Sequence, residues 1–433
     1  MKIFRGNVDM SYPFRKLIYF ILIITIVAVA ACAAPAAKPP AEAKVLKIGS
    51  VMPFSGPGSQ WGLLIRPVLE IYVDEINKDG GLKVGDEMYK VELYFADGPL
   101  NPAADAAAAR SLVYDKNVKA IVSYFGIGYS AIAPITTAEK VILNSSTINM
   151  GTYNAAREPY SIFGFCAVEM SINQAMAVMQ AFPEYKTLCW TGAKGGNTEV
   201  EKIFGPVDEA IEKEYGVKSV RLYYPEGTTN FTAYIAKMAD MKVDALFSFA
   251  NPIENGLLAR QRYQMGYKWP IIQNAAVVDL AMLKGIVGSE EAMQNICGNY
   301  SYPWVLKKVQ VAPRYLDMAN RIRVKYKETH DNKEPFAGGF GAGAPTMGHY
   351  LEAVQMAGTT DPDKVMGVLR GGTIETLLGK YTLSGSKTYG SPVVVGYPCG
   401  MGIVKGSELV YLNENPLWDV DHPVGGVMMP LPQ

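Results

Sequence analysis

Residues 45–62 read VLKIGSVMPFSGPGSQWG. Leu46, Ile48 and Val51 set the apolar pattern of a short strand. Pro53-Phe54-Ser55-Gly56-Pro57-Gly58 then forms a run that the chain makes as a turn. Beyond it, Leu64, Val68, Leu69, Tyr72, Val73 and Ile76 recur at helical spacing up to about residue 78. A strand, a tight turn and a helix are the first half of a βαβ unit. In open α/β sheets, ligands gather at the carboxyl ends of strands, against helix N-termini. Ser55, Gln60 and Trp61 are therefore expected at the rim of a ligand cleft, with an ordinary βα loop as the alternative.

The alternation continues. Strands are expected at residues 89–95, 120–124, 141–143 and 161–168, with helices at 101–114 and 131–139. Asn101 before Pro102 reads as an N-cap and first-turn pair. A second series places helices at 173–181, 200–215, 232–241 and 254–265 between strands at 187–191, 217–224, 245–249 and 270–273. Strands separated by single helices predict an α/β fold with two doubly wound, parallel-sheet lobes. An extended segment at 296–302, helices at 312–328, 346–356 and 361–369, and short strands at 381–383, 393–397 and 409–412 follow. Residues 413–433 form a Pro-, Gly- and Met-rich tail with no assigned element.

Composition narrows the function. Of 433 residues, 49% are hydrophobic and 19% charged, which fits a globular chain of two or three domains. Lys plus Arg equals Asp plus Glu at 41 each, and no basic run points to nucleic acid. His330, His349 and His422 lie far apart in no metal-binding spacing, and no GxSxG or HExxH occurs. Neither metal, cofactor nor catalytic residues are expected.

Arg15 and Lys16 precede an apolar run over residues 17–31, the length of a signal-peptide core and short for a membrane span. The run ends in Val29-Ala30-Ala31-Cys32, which resembles a bacterial lipobox. That resemblance implies a signal peptide at 1–31, cleavage before Cys32 and a lipid on its thiol; an uncleaved anchor is the alternative. Residues 32–44 are small and Pro-rich and read as a tether. Either reading exports the rest of the chain, to the periplasm or the outer face of the cytoplasmic membrane.

Three motifs stand in order: IGSVMPFSGPGSQWG at 48–62, EINKDGGL at 75–82 before a strand and Ala96-Asp97-Gly98, and GTTNFT at 227–232 before a helix and Val243-Asp244-Ala245-Leu246. Together they resemble the substrate-binding proteins of branched-chain amino acid ABC transporters, the leucine/isoleucine/valine-binding family with the type I periplasmic binding fold. Asp361-Pro362-Asp363-Lys364-Val365 and residues 378–383, LGKYTL, fit the closing part of that family. The likeness covers roughly residues 46–412. It implies two lobes, 45–165 with 300–372 and 166–299 with 373–412, joined by hinge crossings near 163–168, 298–303 and 369–378. It also implies hinge closure on a small-molecule ligand and recognition of the closed form by an ABC permease, with no bond made or broken. A ligand-sensing receptor component of the same fold is the alternative; with no second span or kinase-like segment after the fold, sensing would need a separate partner.

The resemblance carries over to particular residues. Trp61 corresponds to the aromatic that covers the ligand side chain. The loop at 124–130, YFGIGYS, would offer backbone amides to a ligand carboxylate through Gly126 and Gly128, with Tyr129 and Ser130 beside them. The family's ligand-binding serine falls on Gly126, so its hydroxyl is missing or displaced here. Ser145, Ser146 and Thr147 stand where further donors are expected, or form a capping turn. In the second lobe, Asn197, Asn251 and Asn274 replace an aromatic or an acid. A charged ammonium in a dry cleft needs a carboxylate, so the expected ligand is a neutral amide or an amine-free carboxylate, unless Asp279 supplies the acid. Cys166 and Cys297 fall near crossings that the resemblance sets side by side, and both a bridge and free buried thiols fit.

Overall fold

The computed structural model describes residues 44–56, 58–124, 128–147, 153–194, 208, 211–225, 227–273, 280–387, 389–396 and 398–415. The chain divides into two units, Met1–Lys44 and Val45–Gln433, and of the first only Lys44 falls among the described residues. The expected signal segment and Cys32 lie outside them.

Two sheets organise the second unit. The first holds β1 (Lys44–Met52), β2 (Leu82–Val84), β3 (Glu87–Asp97), β4 (Ala120–Ser123), β5 (Ile142–Thr147) and β6 (Ser161–Cys166) in the order β2-β3-β1-β4-β5-β6. From β1 to β6 the neighbours run parallel, with Ile48 opposite Ala120, Ala120 opposite Ile142 and Leu143 opposite Ser161. Such strands are covered on both faces, which is why β4 is buried at every position.

The second sheet holds β7 (Thr187–Ala193), β8 (Lys218–Tyr224), β9 (Ala245–Phe249), β10 (Ile271–Gln273), β11 (Ile296–Asn299), β14 (Cys399–Lys405) and β15 (Glu408–Asn415). Its order is β15-β14-β11-β10-β9-β7-β8. Pairs from β8 to β11 are parallel, and β14 and β15 return antiparallel. Two parallel-rich lobes are thus present, as the alternation predicts.

The opening stretch folds as expected. The helix Ser59–Lys78 buries Ile65, Val68, Leu69, Tyr72, Val73 and Ile76 against β1 and the helix Ala344–Ala357. Asn77 explains part of the EINKDGG motif: its Nδ2 donates to Val91 O at 2.8 Å and its Oδ1 accepts from Val91 N at 2.9 Å, tying the helix end to β3. Gly62 lies where the helix presses on the preceding turn; a Cβ there would stand 2.0 Å from the Pro53 carbonyl oxygen. Gly62→Ala is expected to cost about 1–3 kcal/mol, as overpacking of a rigid site does, read as a lower urea midpoint; an unchanged midpoint would contradict this.

The crossings differ from expectation at one place. The first runs from β6 into the helix Ala167–Ala181, and the second follows Asn299. Residues 369–378 do not cross. They end the helix Pro362–Gly371 and enter a hairpin of β12 (Thr373–Thr376) and β13 (Gly379–Thr382). Ile374, Leu377, Leu378, Tyr381 and Leu383 belong to the core that holds Tyr350, Leu351 and Val354 of the first lobe. The hairpin keeps the chain on the first lobe because its apolar residues fill that core. The third crossing follows, beside the first: Phe163 N donates to Val393 O at 2.7 Å and Val395 N to Phe163 O at 2.9 Å.

Among the described cysteines, Cys189, Cys297 and Cys399 are free and buried. Cys297 is therefore not bridged, and burial pushes its thiol up to about 12.

Candidate functional site

The turn after β1 is held by Asp97, the last residue of β3. Its Oδ1 accepts from Phe54 N at 2.8 Å and Ser55 N at 3.3 Å, and its Oδ2 accepts the Ser55 hydroxyl at 2.6 Å. Ser55 thus gives its proton to Asp97 and remains able to accept, not donate, toward the cleft. Gln60 is exposed and Trp61 half-buried against the first core.

At the next strand end, Tyr124 donates to Ala342 O at 3.4 Å, and Gly128 caps the helix Tyr129–Ala138 with no side-chain hydrogen bond. Gly126 lies outside the described residues. Tyr129 departs from its expected role. It is buried beside Phe163, with ring centroids 5.0 Å apart, and its hydroxyl donates to Glu158 Oε2 at 2.8 Å. Burial, chiefly, pushes that hydroxyl well above the ordinary tyrosine range. The apolar face of the helix, with Ile132 and Ala133, turns Tyr129 into the core and leaves Ser130 exposed.

On β5, Ser145 is buried and its hydroxyl donates to Ser146 O at 3.2 Å. Ser146 is 2% exposed and its Oγ has no hydrogen-bond partner among the described residues. Thr147 is described only in its backbone, opposite Cys166. Asn144 is committed: Nδ2 donates to Thr346 O at 2.7 Å and Oδ1 accepts from Gly164 N at 2.8 Å.

In the second lobe, Asn251 caps the helix Pro252–Gln264, accepting from Glu254 N at 2.9 Å. Its oxygen is engaged, and its Nδ2 is what it can offer a ligand. Asn197, Asn274 and Asp279 lie outside the described residues. Two groups at strand ends and one in a helix's first turn escaped the sequence reading. Gln273 closes β10, is 3% exposed and leaves Nε2 without a partner among the described residues. Phe249 closes β9 and packs against the first lobe's core as well as its own. Glu254, in the turn after Asn251, is a buried carboxylate whose charge raises the Tyr224 hydroxyl further after burial has done most. An aromatic two positions before Asn251, and an acid three after it, were the available signals.

A cavity of about 510 Å³ flanks the second crossing, lined by Tyr300, Trp304, Arg323, Glu334, Leu280 and Leu409 among others. Trp304 stacks on Tyr302 at 4.9 Å and carries the Arg323 guanidinium at 4.6 Å, while Arg323 pairs with Glu334 at 2.6 Å. Among the described residues no group of three or more His, Cys, Asp or Glu side chains is placed to hold a metal.

The arrangement is two α/β lobes whose strand carboxyl ends carry buried polar groups and an aromatic that touches both cores. Residues 45–393 match the family of periplasmic binding proteins. The chain belongs to the periplasmic binding protein family. It is a binding protein and not an enzyme. This periplasmic binding protein is 26% identical over 226 residues to Leu/Ile/Val-binding protein homolog 3 of Brucella melitensis, a match over 51% of this chain and 58% of that protein. The chain thus spans little more than half the length of that relative. It is 26% identical over 363 residues to Leu/Ile/Val-binding protein homolog 1 of Brucella abortus, covering 81% of this chain and 88% of that protein.

Solved structures share the fold. The leucine-binding protein LivK of Thermotoga maritima superposes with a TM-score of 0.65 at 20% identity, covering 86% of this chain and 99% of that one. LivJ of Streptococcus pneumoniae, in complex with isoleucine, gives 0.66 at 18% identity, covering 86% and 100%. A solute-binding protein of Rhodopseudomonas palustris, in complex with 3,4-dihydroxybenzoic acid, gives 0.63 at 18% identity, covering 89% and 99%.

Proposed function

We propose that this periplasmic binding protein is the extracytoplasmic capture subunit of an ABC importer. Residues 1–31 export it, a lipid on Cys32 holds it at the membrane, and residues 32–44 tether it. It closes about its three crossings on a small polar or amino-acid-like solute and delivers that solute to a membrane permease. The names of its relatives support an amino-acid-like ligand, and the aromatic acid bound by one fold neighbour supports a wider class.

The observation that carries this reading is the pair Ser146 Oγ and Gln273 Nε2. They stand at strand ends of the two lobes, buried and, among the described residues, without partners. A buried polar atom left so costs about 1–3 kcal/mol, a cost that a ligand bridging the lobes removes. We assign the lining to Ser55, Gln60, Trp61, Gly126, Gly128 and Ser130 with Ser145, Ser146 and Thr147 from the first lobe, and to Asn197, Asn251 and Asn274 from the second.

The test is thermal unfolding of the full chain in mild detergent against amino acids, amides, hydroxylated solutes and aliphatic and aromatic carboxylates. A ligand at a hundred times its Kd stabilises by about 2.7 kcal/mol. A clear rise with one class, weakened about tenfold in Kd by Ser146→Ala or Gln273→Leu, is expected. No rise with any class or with the small-molecule fraction of growth medium would overturn the capture reading.

A further inference from the structure

The cavity beside the second crossing belongs to both lobes. Tyr302 and Trp304, in the chain that follows Asn299, pack against the first lobe's core. The helix Pro313–Thr329, which buries Ala319, Ile322 and Tyr326 in that core, brings Arg323 to the lining. Leu280, which opens the helix Leu280–Val287, and Leu409 on β15 pack against the second lobe's core and line the cavity from that lobe. A volume of about 510 Å³ lies within the range of small-molecule pockets, about 300–1,000 Å³, which favour domain boundaries and aromatic walls.

The walls select the shape of an occupant. Tyr302 and Trp304 stack with planes 18° apart, and Tyr300 stands at 84° to Tyr302 with centroids 5.5 Å apart. The three rings form a corner, and all are only half-buried. A flat aromatic ring set into that corner meets one wall by its face and the other by its edge, the arrangements that ring quadrupoles favour. A puckered aliphatic ring gains neither.

Charge is spent within the lining. Arg323 is forked onto Glu334, Nε to Oε2 at 2.8 Å and Nη2 to Oε1 at 2.6 Å, and Lys327 adds a third bond to that carboxylate at 3.0 Å. Lys333 and Glu408, the other charged residues of the lining, are exposed and opposite in sign. No net charge is left to attract an ion into a half-dry space. The Tyr302 hydroxyl is engaged, donating to Pro335 O at 2.8 Å. Burial, chiefly, pushes the Tyr300 hydroxyl up, so it stays protonated and able to give or accept a hydrogen bond.

We propose that this cavity is a second ligand site, which binds a small, neutral, planar aromatic molecule carrying a hydroxyl or N–H group. None of its side chains is assigned to the solute lining, so the site stands whether or not the capture reading does.

The experiment titrates the full chain in mild detergent with indole, phenol, cyclohexanol and benzoate, by calorimetry and thermal unfolding, with detergent alone as the blank. Indole and phenol are expected to bind at least fivefold more tightly than cyclohexanol, which keeps the hydroxyl and loses the flat ring, and than benzoate, which adds charge. Three variants locate the site. Tyr300→Leu removes one wall, and Ala281→Trp fills the space from an exposed position on its rim. Each is expected to weaken indole at least fivefold, with the urea midpoint of the ligand-free protein read alongside to show that it folds. Ser146→Ala, in the cleft, is expected to leave indole binding unchanged. No binding of indole or phenol to the wild type, cyclohexanol or benzoate as tight as phenol, indole affinity kept in a folded Tyr300→Leu, or an equal loss in Ser146→Ala would each overturn the proposal. If Ala281→Trp does not fold, Tyr300→Leu alone decides.

Discussion

Arg262→Ala is expected to destabilise the protein by about 3–5 kcal/mol, the range for removing a buried charged group from partners that keep their need for it. Arg262 lies on the helix Pro252–Gln264, is almost wholly enclosed, and donates to the carbonyl oxygens of Trp269, of Ala292 at 3.3 Å and of Gln294 at 2.7 Å. Among the described residues no carboxylate pairs with it. Burial pulls its pKa down to about 10, still far above neutrality, so the charged form persists and the three carbonyls share it. Trp269 leads into β10 and Gln294 into β11, so one guanidinium sets the starts of two adjacent parallel strands. Planar, forked donors do this where a lysine ammonium does not. Arg262→Lys should recover less than half of the loss. Urea unfolding of both variants reads the effect, and a loss under 1 kcal/mol for Arg262→Ala would contradict it.

An Asn-Pro dipeptide is read once as a cap and once as a ligand contact. Asn101-Pro102 was expected to cap a helix, and Asn101 Oδ1 accepts from Ala103 N at 3.0 Å and Ala104 N at 3.3 Å. Asn251-Pro252 carries the same signal and caps the next lobe's helix in the same way, yet its position after a strand suggested a ligand contact. A cap and a ligand contact ask for the same residue at a strand end; at Asn251 the bond engages Oδ1 as the cap and leaves Nδ2 for the proposed contact. The helix Ser59–Lys78 and the parallel strands were legible because burial imposes their periods directly. β14 was not. Gly400 and Gly402 dilute its pattern, and its register shifts between Met401 and Gly402, an irregularity that no period-2 reading detects. The hairpin at residues 373–382 failed for another reason: its strands have 4 residues each, and Leu377 and Leu378 look alike in a crossing and in a core. The cavity beside the second crossing joins Leu280, Tyr300, Arg323 and Leu409 from distant parts of the chain, and nothing local marks that meeting.

His349 supplies the second large effect, through acid. It sits in the helix Ala344–Ala357, fully buried, edge-on to Tyr381 with centroids 5.7 Å apart. Burial alone pushes its pKa down to about 3 from an ordinary 6.5. The folded protein therefore keeps the imidazole neutral where the unfolded chain takes a proton. Between those two values the unfolded state binds more protons, so stability falls as pH falls. The contribution is complete above about pH 6.5 and shrinks by about 1.4 kcal/mol per unit below it, until the folded pKa is reached. From pH 6.5 to 4.5 the loss from this one group is on the order of 2 kcal/mol. His349→Leu removes the titration, so its unfolding free energy should fall less steeply over that range, by the same 1.4 kcal/mol per unit, whatever its offset at neutral pH. Equal slopes would show that the imidazole protonates in place. The consequence reaches the cleft, because Thr346, one turn earlier on this helix, receives the Asn144 side chain that also holds Gly164 at the start of the first crossing. Acid that unseats His349 loosens the helix against which both β5 and that crossing are fixed, so solute affinity should decline over the same pH range in the wild type and hold in His349→Leu.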